Sequence, residues 1–339
     1  MTTLAAVALL CAAALPLGAQ NKVLVAKSRV PSVAFDGYRS FALPTDCDKQ
    51  GRSYVKLVKP LPGTVGPLLR LSSKGVLEAE FDTEGSVMNL YAVRPNGGVA
   101  MVRIDGPTKV VDNFAPNGKR ESSVPLERPP IAFFPMQMAV FRSGEMLIAG
   151  LQGHPGYKAS TAVYDPAGHL LKQFELDGDA EIERAIEVGD ARYASTPGRG
   201  NDAVSRSVAI TGDDGLVYLM RATSPASVYV ISSAGEVIRK VVVNAPTDKG
   251  LPGFGVRVVK NRLAVEFERE CDSPLIFSSC QGTVYTVVDA TTGQKLADYE
   301  TEDDTAGPIA CYVPDPDRFF TFSMPGDEHR LEIVEAAAK

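Results

Sequence analysis

The chain has 339 residues and a formal net charge of −6, and its charged residues are interspersed along the sequence. A nucleic-acid-binding protein would present a basic face, so this balance argues against a nucleic-acid partner. Beyond residue 19, no apolar run reaches the length of about 20 residues that a membrane-spanning helix needs. Length alone would suggest about two domains, but closed all-β folds of this size form a single unit.

The first 19 residues differ from the rest of the chain. They contain an apolar run from Leu4 to Leu15, carry no charge, and finish in a small-residue region that ends at Ala19. This order is typical of a signal peptide and predicts a secreted or periplasmic protein. Two alternatives stay open, namely a lipid anchor on Cys11 and a buried N-terminal helix.

Short runs rich in Val, Ile, Tyr, Phe and Leu, separated by turn-forming residues, recur along residues 20–339. The clearest unit, Val204–Val243, reads as four strands joined by three tight turns. Asp214-Gly215 and Ala234-Gly235 supply the left-handed backbone that tight hairpin turns require. Four antiparallel strands in one meander form the blade of a β-propeller.

The first hairpin of this unit recurs elsewhere, at residues 41–57, 86–104, 136–151, 253–268 and 307–322. Propeller repeats are spaced at roughly 40–50 residues, and the longer spacing before Val204 indicates an insertion. We therefore predict an all-β fold, a six-bladed β-propeller of four-stranded antiparallel blades. The predicted blades cover residues 39–81, 86–124, 136–175, 204–243, 253–299 and 307–335.

The last unit lacks a fourth strand, and the chain has a spare strand near its start. The spare strand is Lys22–Lys27, and the sequence ends soon after the third strand of the final unit. We predict that the N-terminal strand completes the last blade. This pairing would close the ring and remove a sheet edge that could otherwise pair with other chains.

The Val204–Val243 unit resembles the repeats of six-bladed propellers of the NHL-like and TolB-like kind. The resemblance rests on the DGLVY sequence at Asp214–Tyr218 and on the turn from Ser232 to Gly235. Such folds include hydrolases, lactonases, receptors and interaction modules. The resemblance therefore implies a fold and leaves the activity open.

Four cysteines follow the predicted signal peptide: Cys47, Cys271, Cys280 and Cys311. An even number in an exported chain permits disulfides, and four cysteines allow three pairings. The predicted ring favours Cys47 with Cys311, because these residues lie in neighbouring blades, and Cys271 with Cys280 within one loop. A metal site is the alternative, but the spacings match no zinc pattern, and we predict none.

The predicted loops divide unequally between the two ends of the propeller. Turns between the first and second strands of each blade are short, and their end is called the short-turn face. The opposite end, called the long-loop face, carries the connections at residues 125–135, 153–158, 175–203, 244–252 and 269–282. Binding residues often lie on loops of a rigid scaffold, although these loops could also be tolerated insertions. Within them, Asp177–Tyr193 is a helix candidate that either caps the channel or decorates the surface.

The sequence contains no catalytic or cofactor motif above background. We therefore expect a monomeric binding module without a cofactor, which holds a protein, peptide or glycan on the long-loop face. Candidate binding residues are Asn89, Gln137 and Arg257 on inner strands, Arg206 on the alternate register, and His154 in a long loop. The alternative is a metal-dependent hydrolase or lactonase with its site at the channel mouth.

Overall fold

The computed structural model describes residues 22–34, 38, 40–59, 65–83, 86–152, 158–180, 182, 202–247, 251–268, 283–301, 308–323 and 330–339. These residues form an all-β fold with a propeller-like arrangement of sheets. Several predictions fall outside these ranges: the signal peptide, His154, the Cys271–Cys280 pair, the side chain of Asn89 and most of the helix candidate. In the described ranges, no helix is long and apolar enough to cross a membrane.

The chain enters the fold through strand β1 (Lys22–Ala34). Four antiparallel sheets of four strands then follow in sequence order. The first sheet contains β2 (Ser40–Cys47), β3 (Ser53–Val58), β4 (Val65–Leu71) and β5 (Leu77–Phe81). The second contains β6 (Ser86–Val93), β7 (Val99–Asp105), β8 (Thr108–Phe114) and β9 (Arg120–Pro125). The third contains β10 (Phe133–Val140), β11 (Met146–Gln152), β12 (Ala159–Tyr164) and β13 (Leu170–Phe174).

A short helix, α1 (Asp202–Ser205), precedes the fourth sheet. That sheet contains β14 (Val208–Thr211), β15 (Val217–Arg221), β16 (Ala226–Ile231) and β17 (Val237–Val243). The remaining strands are β18 (Gly253–Val259), β19 (Arg262–Glu268), β20 (Thr283–Asp289), β21 (Lys295–Thr301), β22 (Ile309–Val313), β23 (Arg318–Ser323) and β24 (Arg330–Ala338). With β1 they form an eight-stranded sheet in the order β18-β19-β20-β21-β1-β24-β23-β22.

Strand β1 lies between the third strand of the last unit and the outer strand of the unit before it. It pairs antiparallel with β24, from Leu24 opposite Ala338 to Ala34 opposite Arg330. Its first residues, Lys22–Leu24, also pair in parallel with β21. The prediction that the N-terminal strand pairs with the last strand is therefore confirmed.

The first strands of the units contact one another in a closed circuit. Strand β2 contacts β6, β6 contacts β10, and the contacts continue through β14 and β18 to β22, which contacts β2 again. Hydrogen bonds reinforce this inner layer, since the Thr211 hydroxyl on β14 donates to the Val140 carbonyl on β10 at 2.7 Å. The circuit brings segments from the two ends of the chain side by side.

The core lies between neighbouring sheets, as the alternation of side chains along β16 shows. Val228 and Val230 pack into a buried cluster shared with β18 and β19. Tyr229 and Ile231 point the other way, into a cluster shared with β10 and β11. Successive side chains of a strand point to opposite faces, so a strand covered on both faces is apolar throughout. Each fully buried side chain of this kind contributes roughly 1.5–3 kcal/mol.

The clearest repeat was interpreted correctly at its turns and less well at its start. Gly215 and Gly235 adopt φ values of +85° and +72°, as the turn chemistry predicts. The strand expected from Val204 begins only at Val208, because the preceding residues form α1. The buried side chains of Ala203 and Val204 anchor this turn of helix against β11 and β12.

Cys47 and Cys311 form a disulfide that joins the end of β2 to the middle of β22. Their Cα atoms are 5.5 Å apart. The bridge links two neighbouring first strands of the circuit, and the predicted pairing of these two cysteines is confirmed.

Candidate functional site

A cavity of about 420 Å³ lies where the first strands of the circuit end. Its lining includes residues from the turn after every first strand, namely Lys49, Arg94, Arg142, Asp213, Lys260 and Pro314. All six turns connect a first strand to a second strand, so the cavity opens on the short-turn face. Its volume falls in the range of roughly 300–1,000 Å³ that is typical of small-molecule sites. We call this cavity the channel mouth.

Arg257 brings a positive charge to the buried part of the channel mouth. It is 4% exposed, and its Nε donates to the Ala310 carbonyl at 2.6 Å. Its Nη2 donates to the carbonyls of Ile309, at 2.8 Å, and of Thr45. One guanidinium on β18 thus binds both β22 and β2. Its acceptors are neutral carbonyls, so they satisfy its hydrogen bonds without cancelling its charge.

Asp46 also lines the cavity, and its carboxylate is attracted by the Arg257 guanidinium. Burial raises the pKa of the Asp46 carboxyl above its usual value, while the attraction of Arg257 and a hydrogen bond from the Cys47 amide oppose the rise. The nearby carboxylate of Asp48 adds to it. Asp46 therefore takes up a proton more readily than an exposed aspartate.

An ion pair crosses the rim of the channel mouth. The Lys49 ammonium lies 3.0 Å from the Asp213 carboxylate. Lys49 follows β2 and Asp213 follows β14, which stand three steps apart in either direction around the circuit of first strands. The Lys260 amide also donates to the Asp213 carboxylate, at 3.3 Å, and Arg142 donates to the Asp213 carbonyl. Turns from four units therefore converge on Asp213 and Lys49.

The charges around the channel mouth are unequal. The cationic lining residues are Lys49, Arg94, Arg142, Arg257 and Lys260, and the acidic ones are Asp46, Asp48 and Asp213. Asp48 is occupied by its own turn, because its carboxylate accepts from Arg52 at 2.6 Å and from the Tyr54 hydroxyl at 3.1 Å. Two of these cations are paired with acids outside the lining, Arg94 with Glu121 at 2.9 Å and Lys260 with Asp315 at 3.3 Å. The surplus of positive charge therefore rests on Arg142 and Arg257, and Asp46 opposes it.

Of the predicted binding residues that the structure describes, Arg257 alone lines the channel mouth. Gln137 instead donates to the carbonyls of Val204 and Ser205, at 2.7 and 3.3 Å, and holds α1 against β10. Arg206 is not on an inner strand, because it lies in the turn after α1 with its guanidinium 5.2 Å from the Phe254 ring centre. The roles proposed for the Asn89 side chain and for His154 concern groups outside the described residues.

Sequence reasoning missed the charged residues of the short turns. Lys49, Arg94, Arg142, Asp213 and Lys260 each stand in or beside the first turn of a different unit. Aligning the units by their first turns would have placed these charges together. A charged turn is ordinarily a solvated turn, however, and a single sequence carries no sign that several such turns meet.

Two further observations concern possible chemistry. Burial lowers the pKa of the Lys56 ammonium, on β3, to about 7. Lys56 is not among the residues that line the channel mouth. Within the described part of the chain, no group of three or more His, Cys, Asp or Glu residues is arranged to hold a metal ion.

No protein-family model and no curated protein matches this chain. Solved structures resemble it. A protein of unknown function from Dyadobacter fermentans is 11% identical, with 93% of this chain and 99% of that chain covered and a TM-score of 0.52. One of unknown function from Bacteroides caccae is 13% identical, with 76% and 80% covered and a TM-score of 0.44. A prolyl endopeptidase structure is 10% identical, with 89% and 42% covered and a TM-score of 0.42.

At these identities the likeness to the Dyadobacter fermentans protein concerns the fold alone, and the two lower TM-scores carry no argument. The resemblance to NHL-like and TolB-like propellers stays a prediction.

Proposed function

We propose that this protein is an exported, six-bladed β-propeller that acts as a ligand-binding module, with its site in the channel mouth. The observation that carries the proposal is a single cavity bordered by the first turn of every unit. A concave site with a few converging polar groups is what a small-molecule site requires.

Six blades are supported by a division of the eight-stranded sheet into two sets of four strands. Strands β18 to β21 form one meander, and β22 to β24 with β1 form another. Parallel pairing over Lys22–Leu24 joins the two halves, whereas antiparallel pairing holds each half together. With the four separate sheets, this division would make six blades, and the six first strands of the circuit support that number.

Export is supported by the cysteine chemistry and by the N-terminal sequence. The Cys47–Cys311 disulfide would persist in an oxidising compartment, where most protein disulfides are found. Residues 1–19 have the sequence character of a signal peptide. Both fit a secreted or periplasmic protein.

The proposed site differs in position from the long-loop face that the loop lengths favoured. Much of that face, including residues 153–157, 183–201 and 269–282, lies outside the described residues, so its role as a binding surface stays a prediction. The described residues support the short-turn face, because the converging charges lie there. Elemental analysis of the purified protein would separate this binding role from a metal-dependent hydrolase, which requires a stoichiometric metal.

A blocking substitution tests the site. Val313 lines the channel mouth at the end of β22, and Val313→Trp would fill part of the cavity. A library of neutral, cationic and anionic small molecules is screened by thermal shift on both proteins. A ligand at 100 times its Kd stabilises the folded state by about 2.7 kcal/mol, which such a screen resolves.

We expect ligands of the wild-type protein to lose their effect on Val313→Trp and to keep it on Val76→Trp. Val76 is 61% exposed and lies outside the cavity, so it controls for the added indole. Ligands that stabilise all three proteins equally would refute the channel mouth as the binding site.

A further inference from the structure

The ion pair across the channel mouth contributes little to folding. The side chains of Lys49 and Asp213 are 58% and 37% exposed. Exposed pairs add little to stability, because water screens the attraction and both side chains lose freedom. Because the Lys49–Asp213 contact stabilises the fold so little, Lys49 can exchange Asp213 for another anion without destabilising the protein.

The Asp213 carboxylate already occupies an anion-binding position. It faces the Lys49 ammonium at 3.0 Å and accepts a hydrogen bond from the Lys260 amide at 3.3 Å. The Arg142 guanidinium donates to the backbone carbonyl of Asp213 and not to its carboxylate. The two donors to the carboxylate come from two units other than that of Asp213, so a detached carboxylate of similar size would meet the same two donors.

The surrounding charge favours an anion over a cation. The Arg257 guanidinium lies in the buried part of the cavity with neutral carbonyls as its acceptors, and Arg142 stands on the wall. Asp46 opposes these cations, although burial raises the pKa of its carboxyl. A cleft lined mainly by one sign of charge concentrates ligands of the opposite sign.

We propose that the channel mouth binds a small anion that carries a carboxylate or phosphate group, and that this group displaces the Asp213 carboxylate from Lys49. The inference rests on the proposed function, since it names the ligand class of the same cavity. Asp213 acts as an internal occupant that competes with the ligand. Lys49 is the residue that both of them bind.

This competition predicts opposite effects from the two halves of one ion pair. Lys49→Gln removes the cation that holds the ligand and weakens binding. Asp213→Asn keeps the shape of the side chain but removes the competing charge, and it strengthens binding. A pair with a merely structural role would give the same sign for both substitutions, since either one breaks the pair.

The experiment is isothermal titration calorimetry at low ionic strength, with sodium citrate and sodium phosphate as separate probes. We expect at least one probe to bind the wild-type protein. Lys49→Gln should bind that probe at least about fivefold more weakly than wild type, and Asp213→Asn should bind it about fivefold more tightly. Fivefold corresponds to about 1 kcal/mol. A preference for citrate assigns a carboxylate ligand, and a preference for phosphate assigns a phosphorylated one.

Matched controls come from ion pairs elsewhere on the surface. Lys295 is 52% exposed and pairs with Asp298 at 2.7 Å, and Asp105 is 66% exposed and pairs with Arg103 at 3.1 Å. Lys295→Gln and Asp105→Asn carry the same charge changes and should leave both affinities within about twofold. Larger changes in the controls would show a general charge effect and overturn the proposal.

Two other results would also overturn it. One is a change of the same sign for Lys49→Gln and Asp213→Asn, and the other is a lack of binding of either probe to wild type and Asp213→Asn. If the thermal-shift screen then finds neutral or cationic ligands that Val313→Trp excludes, the proposed function stands and the anion inference fails. If no ligand depends on Val313, the proposed function fails as well.

Discussion

Two of the ion pairs that join separate segments of the described chain differ in burial, although each joins a basic residue to an aspartate. The Arg221–Asp179 pair has both side chains at 0% exposure, with two hydrogen bonds of 3.1 Å each. The Lys49–Asp213 pair is 3.0 Å long but largely in water. Water decides their roles, because it weakens attraction at the surface and makes a lone charge in the interior expensive.

Position separates the pairs as well. Asp179 lies in the segment after β13, where it also accepts from the Leu176 amide at 2.9 Å, and Arg221 ends β15. The buried pair therefore fastens the start of the insertion to the fourth sheet. The exposed pair bridges turns that surround a cavity. We infer that the first pair serves the fold and the second serves binding.

The largest expected effect comes from breaking the buried pair. Arg221→Met keeps most of the side-chain volume but leaves the Asp179 carboxylate buried without its cation, and should lower the free energy of unfolding by about 3–5 kcal/mol. Urea denaturation measures the change. Adding Asp179→Asn should recover part of the loss, since it removes the isolated charge.

The control is Lys240→Met, which removes a cation 3.4 Å from the exposed carboxylate of Asp177. It should change stability by less than about 1 kcal/mol. Equal effects of Arg221→Met and Lys240→Met would remove the difference between buried and exposed pairs.

Removing the disulfide should cause a smaller loss of stability. The disulfide lines the channel mouth, but we assign it a structural role. Cys47→Ser with Cys311→Ser should lower the free energy of unfolding by about 2–4 kcal/mol, because the unfolded chain regains freedom. Citrate and phosphate affinities should stay within about twofold of wild type. A loss of affinity without a loss of stability would show that the disulfide serves binding and not the fold.

The pH dependence of stability tests the electrostatics of the channel mouth. Because the Asp46 pKa is raised by burial, the folded state holds its proton more tightly than the unfolded state does. The contribution of Asp46 to stability should therefore fall as pH rises from the usual aspartate pKa through the raised one. Asp46→Asn should be the more stable protein at neutral pH, and the difference should vanish in acid.

Asp165→Asn provides a control of opposite sign. A hydrogen bond from His169 lowers the Asp165 pKa, so this carboxylate stabilises the fold at neutral pH and loses that contribution on acidification. Unfolding curves from about pH 3 to pH 8 give both differences. The same pH trend in both variants would contradict the assigned burial of Asp46.

The smallest effects are expected from the pair at the mouth. Lys49→Gln and Asp213→Asn should each change the free energy of unfolding by less than about 1 kcal/mol. Salt should reduce these changes further, because the charges are exposed to the solvent. Thermal melts in low and high salt measure both. A decrease of several kcal/mol in the free energy of unfolding would show that this pair stabilises the fold as much as the buried pair does.

The fold was predictable where its cause is local. Turn chemistry at Gly215 and Gly235 predicted the hairpins of the clearest repeat. The pairing of β1 with β24 has no local cause, and it was predicted from the strand count of the repeats. Helix α1 was not predicted because Val204 is followed closely by the Val- and Ile-containing strand β14, so the whole segment was interpreted as one strand. The helix is stabilised by the burial of Ala203 and Val204, which the sequence alone does not reveal.

The candidate site was much less predictable, because it is assembled from distant turns. Arg257 lies on the first strand of its unit and lines the channel mouth, and its role in binding stays a prediction. Its partners are backbone carbonyls of Thr45, Ile309 and Ala310, which leave no sequence signature. In the sequence, Lys49 and Asp213 look like ordinary turn residues, and only the closed circuit of first strands places them in contact.

The most direct test of the anion site is a crystal structure of the protein grown from an uncharged precipitant and soaked with the tighter-binding of citrate and phosphate. The account predicts the anion within hydrogen-bond distance of the Lys49 ammonium, with the Asp213 carboxylate turned away and all six first turns around the ligand. An intact Lys49–Asp213 contact beside a cavity without the anion would contradict it.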